Sequence, residues 1–471
     1  MNHLLNATQR TILFLIADTG AGHRSAANAI SNAIRIIEQR EQEKWLQDAH
    51  NGSGEDAAKH PPATYRIEIV DAFAKYSQFP LREAVKLYGP TIRLNPKLYG
   101  EIYHRSDRKD TILTLIALAS PLIMNGLIRL FTTVQPDIIV SIHPLLNLVT
   151  INTLRQLGIH IPFLTVVTDL VSVHYSWFAP GADGYIVPTE QAKQVYLQRD
   201  LDHQRVHVLG MPIDPKFLQP VASKAELQEK FGLQPGVPTI LLVGGGDGAG
   251  GLQTAVKAIS HERLPVQLLV VTGRNRPLYA NLQRMKSRLH VPAQIFGFVH
   301  NMPELMHASD IIVTKAGPGS ICEALACHLP IVLSGYVPGQ EEGNVEYVVS
   351  NKVGELAPDP VTLVSTLRRL IKPGSPELRE WMRNAERISR PNASFDIAEC
   401  ILHYMEAGEG HQLWQSAQWV QRRSMMSSRL QSAIQIRLPN GRASRKPPRP
   451  FPFIRLESRK IENDEPPHAS N

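Results

Sequence analysis

The 471-residue chain is 43% hydrophobic and 20% charged, a globular composition and a length that predict about two to three domains. Its three cysteines, Cys322, Cys327 and Cys400, form no Cys-x-x-Cys pair, so neither a disulfide framework nor a cysteine zinc site is indicated. The formal charge of +7 lies in residues 411–471, which hold 11 Lys/Arg against 4 Asp/Glu. We therefore expect a neutral body without a nucleic-acid partner, followed by a basic, disordered tail over residues 408–471 for which contact with anionic lipid or RNA stays open.

Location is indicated by the N-terminus and by one apolar segment. No basic region followed by an apolar stretch marks a secretory signal, so we expect a protein that stays inside the cell. Residues 111–128 carry no charge but are interrupted by Ser120-Pro121, which puts them at the short limit for a membrane span. A buried core helix, an element lying in the membrane interface and a true span all remain open for this segment.

Residues 1–212 are predicted to form a first α/β domain. Short β-branched apolar runs alternate there with helical patterns, which is typical of βαβ units and a parallel sheet. A polar stretch at residues 41–62 interrupts the first unit and is predicted to be an exposed insertion. The predicted strands are residues 11–17, 66–70, 137–143, 163–168, 185–188 and 206–209.

The same alternation starts again after a proline-containing linker at residues 213–236. It predicts a second α/β domain over residues 237–392 and a closing helix over residues 393–407. Two Rossmann-like domains, each of which binds ligands at the carboxyl ends of its strands, would face each other across a cleft for two substrates. The predicted strands are residues 239–243, 266–272, 294–298, 311–314 and 331–333.

The segment Asp18-Thr-Gly-Ala-Gly-His-Arg follows the first predicted strand. Gly20 and Gly22 allow a ligand to approach the backbone closely, and the helix that follows favours negative charge at its N-terminus. His23 at this turn has the chemistry of a general base that takes a proton from an attacking hydroxyl. A glycine-rich turn with an incidental histidine remains the alternative.

A second glycine-rich segment, Gly244-Gly245-Gly246-Asp247-Gly248-Ala249-Gly250-Gly251, follows the strand predicted at residues 239–243. Its glycines meet the Gly-x-Gly-x-x-Gly spacing of dinucleotide-binding loops. The next strand, however, ends in Thr272-Gly273-Arg274, without an acidic residue for a nicotinamide-cofactor ribose. A loop around Gly245 that lets a diphosphate or glycosyl group pass close to the backbone fits better than a dehydrogenase.

Two further segments belong to the second domain. Gly317, Pro318, Gly319 and Ser320 would open a helix whose unpaired amides bind phosphate without a metal. Glu323 would either form a capping box with Ser320 or accept hydrogen bonds from two ribose hydroxyls. The segment 339–344, with Gln340, Glu341 and Asn344, offers the mixed donors and acceptors that a hexose requires, although a solvated polar turn is the alternative.

The patterns typical of metal sites are weak. Asp200-Leu201-Asp202 resembles the paired aspartates of metal-dependent glycosyltransferases, but it lies away from both glycine-rich loops and is interpreted as a solvated turn. His174 has no companion at ligand spacing. It follows Asp169 in a segment that ends a strand at the cleft, so both are candidates for acceptor binding. We expect no obligatory metal.

Taken together, these motifs resemble those of the monogalactosyldiacylglycerol synthases and the related bacterial diacylglycerol glycosyltransferases. The resemblance covers residues 11–405 and includes Asp18 to Arg24, Thr168-Asp169-Leu170, Tyr175 to Phe178, the run from Lys315 to Glu323, and Gly339 to Asn344. Ala21 stands where the family usually has glycine. The tail lies outside the resemblance.

The resemblance implies a GT-B fold, a uridine-diphosphate (UDP) sugar donor and inversion at the anomeric carbon. By this similarity Glu323 would hold the ribose and residues 317–320 the diphosphate, with a weaker contribution from Arg274. Phe298, Val299 and Met302 would form the uracil-binding edge. Residues Gln340, Glu341 and Asn344 would hold the hexose, and Gly20, Gly22, His174 and Trp177 would contact the acceptor.

The function predicted from the sequence is transfer of a hexose from UDP-galactose or UDP-glucose to the free hydroxyl of diacylglycerol. His23 is the first candidate for the general base and Asp169 the second. Residues 81–131, apolar and basic by turns, would contact anionic membrane lipid and admit the acceptor, at the cytoplasmic face of a membrane. Three alternatives remain: an N-acetylglucosamine transferase acting on a lipid-linked cell-wall precursor, a UDP-sugar 2-epimerase and a non-catalytic membrane adaptor. The sequence does not indicate the oligomeric state.

Overall fold

Two parallel β-sheets of six strands each form the framework of the protein in the computed structural model, which describes residues 8–50, 61–244, 251–408 and 410–415. The first sheet contains β1 (Gln9–Ile16), β2 (Thr64–Asp71), β3 (Ile138–Ser141), β4 (Phe163–Val166), β5 (Gly184–Val187) and β6 (Val206–Val208). The second contains β7 (Thr239–Val243), β8 (Gln267–Val271), β9 (Ala293–Phe296), β10 (Ile311–Lys315), β11 (Ile331–Gly335) and β12 (Gly354–Leu356).

Helices connect the strands and cover both faces of each sheet. Those up to the end of the first sheet are α1 (Ala21–His50), α2 (Ala72–Tyr76), α3 (Leu81–Lys86), α4 (Tyr88–Leu94), α5 (Pro96–Ser106), α6 (Lys109–Ala119), α7 (Pro121–Val134), α8 (Pro144–Leu157) and α9 (Glu190–Leu197). The later ones are α10 (Lys224–Lys230), α11 (Leu252–His261), α12 (Arg276–Met285), α13 (Met302–His307), α14 (Pro318–Ala326), α15 (Glu342–Ser350), α16 (Pro360–Leu370), α17 (Pro376–Ile388), α18 (Ala393–Ala407) and α19 (Gly410–Gln415).

The order of the strands determines where ligands bind. The first sheet has the order β2-β1-β3-β4-β5-β6 and the second the order β12-β11-β10-β7-β8-β9. In each sheet the first strands in the chain are added on one side of the starting strand and the later strands on its other side. The strand order therefore reverses between β1 and β3 in the first sheet and between β7 and β10 in the second. Loops that leave neighbouring strands on opposite faces open a crevice at such a reversal, which is where open α/β folds bind ligands.

All the strands predicted from the sequence are present, because buried parallel strands consist of continuous aliphatic and β-branched residues. The segment Ile12–Ile16 is fully buried, as are Ile240, Leu241 and Leu242 of β7. β12 was not predicted: its sequence, Gly-Glu-Leu, lacks β-branched residues and is too short to show alternation.

Three predicted segments differ in the structure. The helix predicted to follow the Asp18 to Arg24 turn already begins within it, at Ala21, and continues to His50. The first part of the predicted insertion 41–62 therefore lengthens α1, and residues 51–60 lie outside the described residues. The predicted linker 213–236 folds into a short 3-10 helix and α10. Phe217, Leu227 and Leu233 from it are buried in the core of the second sheet, so this segment is part of the packed structure. The predicted basic tail lies outside the described residues except for its first part, 408 and 410–415.

The helix over residues 393–407 returns to the first sheet. Ile397, Ile401 and Met405 of α18 pack in the same core cluster as Ile12 and Val140. Beyond it, Trp414 of α19 donates a hydrogen bond from Nε1 to the Pro136 carbonyl at 2.8 Å. The end of the described chain is therefore anchored on the N-terminal lobe, the part of the molecule built on the first sheet.

The apolar segment 111–128 is divided between α6 and α7. Within the described residues no single helix is long and apolar enough to cross a bilayer, whereas α6 and α7 together pass that test by length and composition but are bent by 66°. One side of α7 is buried, including Ile123, Leu127 and Phe131.

Gly126 allows α7 to lie directly against the end of α2. A Cβ atom at this position would overlap the carbonyl group and the Cβ of Tyr76, and the helix backbone has little room to shift. We predict that Gly126→Ala lowers the free energy of unfolding by about 1–2 kcal/mol, because overpacking outweighs the gain in helix propensity.

Chemical denaturation of the wild type and the variant measures this difference. Gly20→Ala is the matched control, since a Cβ there meets no heavy atom within 4 Å and stability should remain within experimental error. Equal stability of all three proteins would contradict the packing of α7 described above.

Candidate active site

The loop after β1 is held by charged side chains around His23. Arg24 donates from Nε and Nη2 to both carboxylate oxygens of Asp18, at 2.8 and 2.6 Å. The backbone amide of Asp18 donates to Asp71 Oδ2 at 3.0 Å, and Asp71 also caps α2 by accepting from Ala74 N. These bonds fix the first turn of α1, in which His23 lies.

His23 meets a second histidine from the neighbouring strand. His143 directly precedes α8 in the loop after β3, and the two imidazole rings are in edge contact, with centroids 4.9 Å apart and planes at 66°. Burial lowers the pKa of His23 to about 4, although the Ile142 carbonyl and Asp18 oppose the shift. A neutral imidazole at physiological pH is able to accept a proton.

Asp169, in the loop after β4, is held by Trp177. The indole Nε1 donates to Asp169 Oδ2 at 2.6 Å, and both side chains are buried. Burial raises the pKa of Asp169 to about 7; the bond from Trp177 opposes this shift, while the carboxylates of Glu341 and Asp107 add to it. Trp177, predicted to contact the acceptor, therefore also orients the second candidate base.

His174 has hydrogen-bond partners on both sides of its ring. Its Nδ1 accepts from the Ser176 amide at 3.1 Å and lies 2.7 Å from the Ser176 hydroxyl. Its Nε2 lies 3.2 Å from Ser106 Oγ at the end of α5. Since Nδ1 accepts from a backbone amide, Nε2 carries the proton and donates to Ser106. His174 thus ties α5 to the loop after β4, besides lining the cavity described next.

A cavity of about 520 Å³ lies beside these residues. Its walls are apolar side chains of α3 to α7, and its polar end is formed by residues from the loops after β1, β3 and β4. Side chains at that end include His23, His143, Asp169, Ser176 and, from the C-terminal lobe built on the second sheet, Gln340. The cavity combines an apolar body with a small polar end, as expected for a molecule that has hydrocarbon chains and one reactive polar group.

The N-terminus of α14 lies in the crevice of the second sheet, directly after β10. Gly317 is the N-cap and Pro318 the first helical residue, so Ser320 lies inside the helix and the capping-box alternative for Ser320 and Glu323 is wrong. The amides of the first turn have no intrahelical acceptor and carry the positive end of the helix dipole. A Cβ at Gly319 would meet nothing within 4 Å, which leaves space for a ligand. Burial raises the pKa of Glu323 to about 7.

The segment 339–344 joins the two lobes. Glu341 is ion-paired with Lys315 and accepts from the Val337 amide at 2.8 Å. Asn344 donates to the Ala316 carbonyl at 2.8 Å and accepts from the Leu170 amide at 3.4 Å. Tyr99 of α5 donates to Gln340 Oε1 at 3.1 Å. The hexose role of all three residues stays a prediction, and Gln340 alone among them lines the cavity.

The predicted uracil edge follows β9. The guanidinium of Arg274 lies over the Phe298 ring, 5.1 Å from its centroid, and the ring is half exposed. Val299 and Met302 are partly buried against the core of the second sheet. Arg274 and Phe298 thus come together as one surface, whereas Gly245 lies outside the described residues.

The Asp200-Leu201-Asp202 segment is a turn, as interpreted from the sequence. Asp200 has a positive φ of 59°, and Asp202 caps a short 3-10 helix by accepting from the Gln204 amide at 3.0 Å. Within the described ranges no group of three or more His, Cys, Asp or Glu residues could hold a metal ion.

Comparison with known proteins decides the family. The family model of monogalactosyldiacylglycerol (MGDG) synthase matches residues 55–213, and that of the glycosyltransferase family 28 C-terminal domain matches residues 239–396. The chain belongs to the MGDG synthase family. It is 34% identical over 404 residues to the probable MGDG synthase 2 of Oryza sativa subsp. japonica, covering 84% of this chain and 81% of the relative. MGDG synthase 3 of Arabidopsis thaliana is 33% identical over 407 residues, with the same coverage of both chains.

Solved structures confirm the predicted GT-B architecture of this glycosyltransferase. MurG of Acinetobacter baumannii superposes with a TM-score of 0.53 at 14% identity, covering 84% of this chain and 99% of that one. The UDP-GlcNAc 2-epimerase of Neisseria meningitidis gives a TM-score of 0.52 at 15% identity, covering 84% and 100%. At such low identity these likenesses establish the fold alone.

Sequence reasoning did not single out His143. His143 lies directly before Pro144 and belongs to no sequence motif with a recognisable spacing. The available signal was its position at the carboxyl end of the third predicted strand. Had β3 been placed beside β1, the histidine would have been expected next to His23.

The raised pKa of Asp169 predicts how the free energy of unfolding changes with pH. An unfolded aspartate has a pKa near 3.8, whereas the folded one has a pKa of about 7, so between these pH values the folded state holds more protons than the unfolded state. The wild type therefore loses stability as pH rises through this window. Asp169→Asn removes this dependence and still accepts a hydrogen bond from Trp177.

We expect the free energy of unfolding of Asp169→Asn, relative to the wild type, to rise between pH 4 and pH 7 by up to ~1.4 kcal/mol per pH unit. Above that window the difference should level off. Denaturation at a series of pH values measures it, and a difference that stays constant with pH would contradict the shifted pKa.

Proposed function

We propose that this protein transfers galactose from UDP-galactose to the free hydroxyl of 1,2-diacylglycerol, with inversion at the anomeric carbon. The observation that carries the proposal is the cavity, whose apolar walls suit two acyl chains and whose polar end contains both candidate bases. The choice of galactose over glucose is supported by the names of the relatives, which are monogalactosyldiacylglycerol synthases.

The proposed reaction is a single displacement between the lobes. The hydroxyl of the acceptor, activated at the polar end of the cavity, attacks the anomeric carbon, and UDP leaves towards the N-terminus of α14. There, the first-turn amides and the helix dipole stabilise the diphosphate. The amides carry this role without a metal, so we propose that none is obligatory. Holding both substrates close together and correctly oriented in one cleft accelerates the reaction further.

Purified protein incubated with labelled UDP-galactose or UDP-glucose and diacylglycerol tests the proposal, with thin-layer separation of the lipid product. The expected result is a monoglycosyl lipid formed with UDP-galactose and at a much lower rate with UDP-glucose, unchanged when a chelator is present. A faster reaction with UDP-glucose would contradict the choice of sugar. Conversion of the donor in the absence of lipid would instead support the epimerase alternative.

His23 is proposed as the general base because its neutral imidazole lines the polar end of the cavity. We predict that His23→Ala lowers kcat at least about 100-fold, a typical contribution of general base catalysis. Affinity for UDP, measured by calorimetry, should remain within about twofold, because the donor lies on the other lobe. Turnover near the wild-type rate would exclude His23 as the base.

The pH dependence of kcat/KM distinguishes the two candidate bases. With His23 as the base, activity should persist on acidification and fall only towards pH 4, since the pKa of this histidine is about 4. With Asp169 as the base, activity should already fall below about pH 7, where the carboxylate takes up a proton. The pH at which kcat/KM falls on acidification thus identifies which of the two residues is the general base.

Contact with a membrane is proposed for the outer side of the helices that wall the cavity. Phe79, Leu94 and Leu118, all within residues 79–118, are 75%, 85% and 71% exposed, an unusual exposure for large apolar side chains. The exposed basic residues Lys97, Arg108 and Lys109 lie on or beside the same helices. This combination is typical of helices that bind an anionic membrane surface without crossing it, so we propose peripheral attachment at a cytoplasmic face.

We predict that Leu118→Glu weakens binding to vesicles that contain anionic lipid by about tenfold and lowers activity towards diacylglycerol in those vesicles, while activity towards a detergent-dispersed acceptor is retained. Val361→Glu is the matched control, because Val361 is 80% exposed on α16 of the other lobe. Vesicle flotation measures binding. Equal effects of both substitutions would contradict the proposed surface.

A further inference from the structure

Helix α5 contacts both the cavity and the C-terminal lobe. The residues of α5 that line the cavity are three and four positions apart, which places them on one side of the helix: Tyr99, Ile102, Tyr103 and Ser106. The adjacent side of α5 packs directly on the segment 338–342, since a Cβ at Gly100 would lie 2.8 Å from Pro338 Cβ. The helix that walls the cavity therefore also touches the segment that joins the two lobes.

One hydrogen bond across this contact orients Gln340. The hydroxyl of Tyr99 donates to Gln340 Oε1 at 3.1 Å. Both side chains are partly exposed and both line the cavity, so a ligand is able to reach them. Because the oxygen and the nitrogen of a carboxamide point in different directions, this bond turns the two N–H donors of Gln340 away from the Tyr99 hydroxyl.

Gln340 connects the two places that the proposed reaction has to join. It belongs to the C-terminal lobe, yet it lines the polar end of the cavity. Its neighbour Glu341 is ion-paired with Lys315, which directly precedes the loop into α14. Asn344 donates to the Ala316 carbonyl in that loop at 2.8 Å. A hexose that passes from a diphosphate at α14 to a hydroxyl in the cavity has to lie between these places, with reacting atoms about 3–3.5 Å apart, and Gln340 lies beside that path.

We propose that Tyr99 is a positioning residue for the sugar donor: its hydroxyl holds the carboxamide of Gln340 in the orientation in which Gln340 donates a hydrogen bond to a hydroxyl of the hexose. This inference rests on the function proposed above. It gives α5, a helix of the acceptor cavity, a part in recognising the sugar that the other lobe binds. The side chain of Tyr99 acts through Gln340 and does not itself contact the hexose.

A role in holding the lobes together is the alternative for this hydrogen bond. Other contacts already join the same two elements: Gly100 lies against Pro338, and His104 Nε2 is 3.5 Å from Glu342 Oε2. Looser lobes would weaken the binding of every donor-site ligand, including UDP, whereas a misoriented Gln340 would weaken only ligands that have the hexose. Comparison of UDP with UDP-galactose therefore separates the two roles.

The test measures recognition of the sugar separately from recognition of the nucleotide. The full-length wild type and Tyr99→Phe, which keeps the aromatic ring in the cavity, are assayed with UDP-galactose and diacylglycerol, and UDP serves as an inhibitor. Tyr99→Phe is expected to raise the KM for UDP-galactose about fivefold, as the loss of one neutral hydrogen bond implies. The inhibition constant of UDP and the KM for diacylglycerol should remain within about twofold of the wild-type values.

Further variants test whether Tyr99 acts through Gln340. Gln340→Ala should raise the KM for UDP-galactose at least as much as Tyr99→Phe does, and adding Tyr99→Phe to it should cause no further rise, because the two residues serve one interaction. His104→Ala is the matched control on α5: it removes a contact with the same segment but leaves the bond to Gln340, so the KM for UDP-galactose should not change. Thermal unfolding of each variant establishes that the protein is folded.

Four results would overturn the assignment of Tyr99 while leaving the proposed function intact. They are an unchanged KM for UDP-galactose in Tyr99→Phe, an equal rise in the inhibition constant of UDP, additive effects in the double variant, and a rise confined to the KM for diacylglycerol. The last would mean that Tyr99 contacts the lipid acceptor. Absence of sugar transfer by the wild type would contradict the proposed function itself.

Discussion

The reversal of strand order between β1 and β3 is the constraint on which the site depends. Parallel strands end at one edge of a sheet, and their loops normally turn to helices on the same face. Where the strand order reverses, the loops after the two neighbouring strands turn to opposite faces of the sheet and leave a crevice between them. His23 follows β1 and His143 follows β3, so the two imidazoles meet in that crevice although they are 120 positions apart in the sequence. The second sheet repeats the arrangement, with α14 beginning in the reversal between β7 and β10.

Removal of water determines the chemistry of the polar end. The same apolar helices that are proposed to accommodate hydrocarbon chains desolvate the ionisable groups beside them. Burial keeps His23 neutral, with a pKa of about 4, and raises the pKa of Asp169 to about 7. A neutral base close to a hydroxyl in a dry environment has little competition from solvent water. In the proposed reaction, selection of a lipid acceptor and activation of its hydroxyl would thus have one physical origin.

The fold was largely predictable because parallel strands buried on both faces are continuous apolar runs. β12 was missed because three residues without a β-branched side chain give no such signal. The motifs around His23 and Ser320 were found from glycines that follow strands. The cavity, in contrast, is built from α3 to α7, whose packing against one another is not encoded in any local pattern. For the same reason the sequence did not show that Gln340 and Asn344 join the lobes, or that His174 is engaged by Ser106 and Ser176.

The central claim is that the acyl chains of the acceptor occupy the cavity between α3 and α7. The most direct measurement is photolabelling with a diacylglycerol that has a diazirine within one acyl chain, followed by mass spectrometry of the peptides. The account predicts labels on the cavity-lining helices within residues 81–134, and competition by unlabelled diacylglycerol should remove them. Labels confined to the C-terminal lobe, or labels unaffected by the competitor, would contradict it.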